Sequence, residues 1–307
     1  MSKKATTVEE QIELLKSRGM TISNEEKAKE HLLDIGYYRL GFYWYYFQKD
    51  RQRQLYYKGT DINDAIDLYY LDVDLRNLLS RYIYRIEVHF RTQVVYYVSN
   101  KYRDKPVWFS DAEIVSYFNK KICKNLKENN NNIIRHHYKY PKDTYAPAWK
   151  TLEFYTFGQI LHVFNSLKDV EVKNKIANVY GLKSRVYKEK LEDLSILEHE
   201  VKAYECLHEY LVAILNIRNI CSHSGVLFDY RQQKGIKKIP DHRFRPREAN
   251  QTNLNTSIYL ILFMLSKVSC NRAKDLKDEL LEVFKRAIDK NEKLKNIIIK
   301  YIGFELK

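Results

Sequence analysis

Apolar residues recur at three- and four-residue spacing along most of this chain, the period of helices rather than of strands. The clearest case is residues 62–99, which contain no proline or glycine. There Ile66, Tyr69, Tyr70, Val73, Leu78, Leu79, Ile83, Ile86 and Val88 predict one long helix or two abutting ones. Ahead of it, Thr7-Val-Glu-Glu10 is a capping box opening a helix with Ile12, Leu14 and Leu15. Ser23-Asn-Glu-Glu26 opens a second helix through Leu32, Leu33 and Ile35, stopped near Gly36. Residues 37–47 are mostly aromatic and read as a plug docking these helices on the main body, in preference to a base-stacking surface. Further on, Pro147-Ala-Trp149 starts a helix over 149–167, and helices are expected over 184–196, 198–222, 253–270 and 273–302.

Two stretches interrupt this pattern. Residues 120–142 hold seven Lys/Arg against the single acid Glu128, together with the run Asn129–Asn132. Residues 231–247 hold seven Lys/Arg against Asp241 alone. Both read as solvated loops or insertions. No internal repeat is visible. The expected fold is therefore all-α, with a small helical and aromatic extension over 1–60. A helical domain over 61–307 follows, carrying basic insertions near 119–142 and 231–247.

Composition supports the helical reading, because glycine (9) and proline (5) are scarce. Formal net charge is +14 and tyrosine numbers 26. Cations neutralise phosphates and flat rings stack on unpaired bases, so the balance suits nucleic acid. An A/T-rich genome inflates lysine, tyrosine, asparagine and isoleucine equally well, so charge is supporting information only. Cys123, Cys206, Cys221 and Cys270 show no CxxC spacing, which suggests neither a metal site nor a disulfide framework, and no cofactor is implied. The N-terminal residues lack an apolar leader, and no apolar run approaches the roughly 18 residues that span a bilayer. The expectation is a soluble, reduced, cytoplasmic protein without a membrane partner.

The chemistry concentrates in Arg218-Asn219-Ile220-Cys221-Ser222-His223, at the end of an apolar helical run. Histidine titrates near neutrality and moves protons, while arginine stays charged and matches a phosphate. Together they can cut RNA without a metal. Arg218 follows Leu211, Ile214 and Leu215 on one helical row, so its charge needs a partner, a cleft or a ligand. In a continuous helix His223 lies about 7.5 Å further along the axis and roughly 140° around it. A purely structural reading uses the same residues: Arg218 pairs with a core carboxylate, and His223 sits favourably at a helix C-terminus. Elsewhere, Arg85 and His89 read as an ordinary exposed helical pair, and Glu87 and Glu153 as structural partners of a buried arginine. His136-His137, with no acidic or cysteine partner nearby in sequence, reads as an RNA contact rather than a metal site. Tyr145 and Trp149 read as packing residues. No phosphate-cradling glycine loop or Ser/His/Asp spacing is present.

The Arg-Asn pair, the cysteine–small–His ending and the preceding apolar helix resemble the Arg-x4-His motif of HEPN-domain ribonucleases. Further blocks resemble the bacterial abortive-infection (Abi) family, in the AbiD/AbiF group. They are Glu10-Gln11-Ile12 with Leu15, Arg18-Gly19-Met20 with Ile22, Ala28, and Ile35-Gly36-Tyr37-Tyr38-Arg39-Leu40. Tyr70-Leu71-Asp72 with Leu75-Arg76, Ile86-Glu87 with Arg91, and Pro147-Ala-Trp149 with Glu153 and Thr156-Phe157-Gly158 continue the series. The blocks run in order from about residue 8 to 228. After the histidine the chain departs from the family's pattern of an arginine followed by an aromatic–Asn pair, reading Ser224-Gly225-Val226-Leu227-Phe228-Asp229. Arg231 is the candidate to stand in for that arginine.

The resemblance implies an HEPN-type helical bundle in a phage-defence protein that acts on RNA. It also implies two copies pairing so that their motifs face each other, and a small structured non-coding RNA held by the protein. Arg218, Asn219 and His223 are the implied catalytic residues. Lys120, Lys121, Lys124, Arg135 and Lys139 in the first basic segment would hold RNA, as would Arg231, Lys234, Lys237, Lys238, Arg243 and Arg245 in the second. The rival expectation is a non-catalytic RNA-binding or infection-sensing module, whose Arg218 and His223 merely hold phosphate.

Overall fold

The computed structural model describes residues 4–190, 196–246 and 250–304, and the side chains of these except over 186–201. Residues 1–3 of the expected leader-free terminus, 191–195 of the expected 184–196 helix, and Arg247 of the second basic segment lie outside the described residues.

The protein is mostly helical, and its spine is one helix. After α1 (Val8–Ser17), α2 (Glu25–Asp34) and α3 (Tyr37–Trp44, continued by a 3-10 turn Tyr45–Phe47), a short hairpin of β1 (Gln48–Asp50) and β2 (Leu55–Tyr56) leads into α4 (Ile62–Lys101). The 40 residues of α4 are opened by a capping box, Asp61 with Asp64, and nothing inside them breaks a helix. At 1.5 Å per residue α4 is about 60 Å long. Buried positions occur all around it, because α3, α8 (Phe157–Ser166), α9 (Val170–Val179), α10 (Ala203–Ser222), α11 (Leu254–Val268) and α12 (Cys270–Lys290) all pack against it. A single hydrophobic cluster runs from Ile12 to Phe304. The aromatic segment packs as expected on one side: Leu40, Tyr43 and Trp44 are buried. Among the described residues no helix is long and apolar enough to cross a membrane.

Several local expectations are corrected. Residues 120–142 are not a loop but α5 (Lys120–Asn129) and α6 (Asn131–Lys139). Asn119 and Asn130 act as N-caps, each accepting two backbone N–H groups, while Cys123, Ile133 and His136 supply buried contacts. The expected 149–167 helix is split into α7 (Ala148–Thr151) and α8, because Thr156 and Gln159 form a capping box that restarts it. Trp149, read as packing, is exposed. The expected helix over 184–196 is replaced by an antiparallel hairpin, β3 (Arg185–Lys190) and β4 (Ile196–Val201), with Arg185 opposite Val201. Val186, Tyr187, Ile196 and Val201 favour strand, and a six-residue ladder outweighs the helix propensity of Lys188-Glu-Lys190. The motif helix α10 accordingly begins at Ala203 rather than 198. The C-terminal helix ends at Lys290, since the Asn291 side chain turns back to donate to Asp64 and Asp67, and α13 (Lys293–Ile297) follows.

His136, read as an RNA contact without an acidic partner, is buried with Nε2 3.0 Å from Asp143 Oδ2. His89, read as exposed, is partly buried with Nδ1 2.9 Å from the Tyr180 hydroxyl. Burial lowers the titration of His89, His137 and His208 below the ordinary 6.5. The unfolded chain therefore takes up these protons first, so their neutral-form stability is complete above about 6.5 and declines as pH falls beneath it. The urea midpoint is expected to drop between pH 7.5 and 5.5, and His89→Gln to flatten that slope. An equal slope in both proteins would reject the assignment.

Candidate active site

The first turns of α10 are anchored by Leu207, Tyr210, Leu211, Ala213, Ile214 and Ile217, all buried. The helix stays regular through Ser222 and then stops sharply. His223 is its C-cap, donating its backbone N–H to Asn219 O, and Ser224 follows at φ +54°. The Gly225 N–H returns to Ile220 O at 2.9 Å. This six-to-one bond with a left-handed residue before it is a Schellman ending. A Cβ on Gly225 would lie 2.9 Å from Ile220 Cγ2, so only glycine lets the chain turn back this closely. The left-handed serine costs on the order of 1 kcal/mol, and Arg39 of α3 steadies it by donating to Ser224 O.

The loop that follows is held from α4. Asp72, fully buried, accepts the backbone N–H of Leu227 at 3.0 Å and of Phe228 at 2.7 Å, and the Tyr43 hydroxyl at 2.9 Å. Arg76 lies 3.8 Å from Asp72 and donates to Gly225 O at 2.9 Å. Burial pulls the Asp72 carboxyl above its usual range, and the Arg76 guanidinium and the Tyr43 hydroxyl pull against it.

One turn before the cap, Arg218 faces α4. Its Nε lies 3.9 Å from Glu87 Oε2, and its side chain keeps 34% exposure. Glu87 also accepts from Arg91 at 3.1 Å, while Arg91 donates to Tyr155 O at 2.9 Å and stands 3.8 Å from Glu153. Glu87 and Glu153 are thus partners of a buried arginine, as expected. Arg218, Asn219 and His223 make no side-chain hydrogen bond among the described residues, and Asn219 and His223 are exposed. Cys221 is not an available nucleophile, because burial pushes its thiol up to about 11. The arrangement offers a fork-shaped cation fixed by one edge and, beyond it, an open imidazole on a rigid turn.

The basic residues expected to hold RNA divide. Lys120, Lys121, Lys124, Arg135 and Lys139 are exposed on α5 and α6. In the second segment Lys234 and Lys237 are 2.8 and 3.0 Å from Glu209, and Arg243 grips Asp241 at 2.7 Å. Arg245 donates to the carbonyls of Ile239 and Pro240, Arg231 lies 3.6 Å from Asp229, and Lys238 is exposed. Arg39 reaches the chain beside His223 through Ser224 O, while Arg231 turns to Asp229 and Tyr301 O. Arg39, Asp72 and Arg76 belong to the family-like blocks, but nothing in their spacing points to the loop they hold.

This is a mostly helical protein built on one long helix, with an Arg-x4-His pair on the terminal turn of a second helix packed along it. The chain belongs to the Abi-like protein family, whose pattern matches residues 30–229. That membership supports a role in abortive infection, the bacterial defence against phage. Neither a curated protein nor a solved structure matches the chain. The matched stretch contains every group that holds the α10 terminus and stops before the second basic segment.

Proposed function

We propose that this Abi-like protein is a metal-independent HEPN-type RNA endonuclease of the AbiD/AbiF group, acting as a homodimer and binding a small structured RNA. The observation that carries the reading is the terminal turn of α10, where His223 stands exposed beyond a partly exposed Arg218 that Glu87 holds by one edge. In the reaction the RNA 2′-hydroxyl attacks the adjacent phosphorus and the 5′-oxygen leaves. The 2′-hydroxyl gives up its proton and the leaving 5′-oxygen takes one, with His223 serving one of these transfers as general base or acid; Arg218 stabilises charge on the phosphoryl oxygens, and Asn219 orients the pair or contacts the phosphate. Pairing of two copies would set two such turns around one strand. Products carry 2′,3′-cyclic phosphate and 5′-hydroxyl ends. Cleavage by the purified protein is expected to persist in EDTA; loss of cleavage with the chelator, or products ending in 3′-hydroxyl, would reject the mechanism.

The pairing of Arg218 with Glu87 favours a second reading, a non-catalytic RNA-binding or infection-sensing module. Expression in cells separates the two. The enzyme reading expects toxicity that Arg218→Ala and His223→Ala remove, whereas a binding module is equally harmless in all three forms.

RNA affinity is expected to fall steeply with salt, in proportion to the phosphates neutralised. The exposed cations of α5 and α6 are the better footprint, since of those named only Lys124 faces an acid, Glu128 at 3.9 Å, whereas Lys234, Lys237 and Arg243 lie within 3.0 Å of theirs. Charge reversal at Lys120, Lys121 and Lys124 should flatten the slope of log K against log salt by about 0.7–0.9 for each phosphate no longer neutralised. An unchanged slope would put the RNA elsewhere.

A further inference from the structure

We propose that the outer face of α3 is a stacking shelf for unpaired RNA bases, delivering a single strand to the His223 turn. The inference rests on the reading of that turn as an RNA-cutting site and adds where the substrate lies. The aromatic segment is two-sided. Leu40, Tyr43 and Trp44 bury one side, but Tyr38, Phe42 and Tyr45 stand outward with 82, 41 and 39% exposure. Their spacing of four and then three residues places them on one row. The Tyr38 and Phe42 rings meet edge to face at 5.2 Å, with Tyr38 the more exposed of the two, and the Arg51 guanidinium covers one face of Tyr45 at 4.2 Å.

Two features select RNA over a second copy of the chain. Residues 37–56 carry Arg39, Lys49, Arg51 and Arg53 against Asp50 alone, so the rings are interleaved with cations that suit a phosphate backbone. The shelf is also tied to the cutting turn. Arg39, next to Tyr38, donates to the carbonyl of Ser224, the residue after His223. That bond sets α3 beside the His223 turn, and in the proposal the strand stacked on Tyr38 and Phe42 continues to the imidazole. Bases inside a duplex are covered on both faces by their neighbours and only the two end pairs present a face, so the shelf prefers single strands over duplexes.

The test uses the full-length protein with two labelled 2′-O-methyl RNAs of the same sequence, an eight-nucleotide single strand and its blunt duplex, neither of which can be cut. Tyr38→Ala/Phe42→Ala is expected to raise Kd for the single strand about tenfold and to change the duplex value less than twofold, while Tyr38→Trp retains single-strand affinity. Equal changes for both RNAs, or none, would overturn the shelf. So would a fall in sedimentation mass of the double variant, which would make the row an interface between copies. Because the probe is uncleavable, failure of the nuclease reading is seen separately, as wild-type protein that leaves unmodified RNA intact while the binding contrast stands.

Discussion

Replacement of Asp72 by alanine is expected to cost about 3–5 kcal/mol of stability. The carboxylate is fully buried and collects two backbone N–H groups, a tyrosine hydroxyl and the Arg76 charge. Alanine strands the two N–H groups and the hydroxyl and leaves the Arg76 charge with only the Gly225 carbonyl, and buried donors or charges without a partner carry a large desolvation cost. Asparagine still accepts but brings donors that face other donors, so Asp72→Asn should fall between, at about 1–3 kcal/mol. Urea unfolding reads both. A loss under about 1 kcal/mol for the alanine variant would mean that the 225–228 loop is held by other groups. Because the same loop follows His223 directly, the destabilised variant should also show faster amide exchange at residues 223–228 than at the centre of α10.

The second large effect is on chemistry. On the cutting reading, His223→Ala lowers the single-turnover cleavage rate by roughly 10²–10⁴, the usual worth of a positioned acid or base. Arg218→Ala should lower it comparably. Arg218→Lys keeps the charge but loses the planar fork, and is expected to recover only part of the rate. Glu87→Gln separates positioning from catalysis. It removes the carboxylate beside Arg218 Nε and Arg91 while leaving both arginines in place, so kcat should fall with little change in KM. A Glu87→Gln protein whose KM rises at constant kcat would instead show that Glu87 serves RNA binding alone. Stability measured alongside is needed, since Arg91 loses an ion pair in the same variant.

Much of the fold is legible because its signals are short-range. A capping side chain and the donors it satisfies lie three residues apart, and an apolar row repeats every three or four, so α1, α4 and α11 follow from local sequence. Where two short-range signals compete, composition alone favours the weaker. The asparagine run has the composition of a loop yet serves as caps; Thr156 with Gln159 breaks a helix that its flanking apolar residues would have continued. The 185–201 hairpin draws on cross-strand pairing between residues up to sixteen apart, which no helical window registers.

By itself the sequence determined the helical class, the starts of α1, α2, α4 and α11, the family, and where the Arg218–His223 pair stands on the chain. Tertiary structure alone decided that Glu87 meets Arg218, that Asp72 and Arg76 hold the turn after His223, and which aromatic rings of α3 face outward. Those contacts join residues separated by up to 156 positions. They depend on how α3 and α10 stack against α4, and stacking is set by the summed shape of many side chains rather than by any local run.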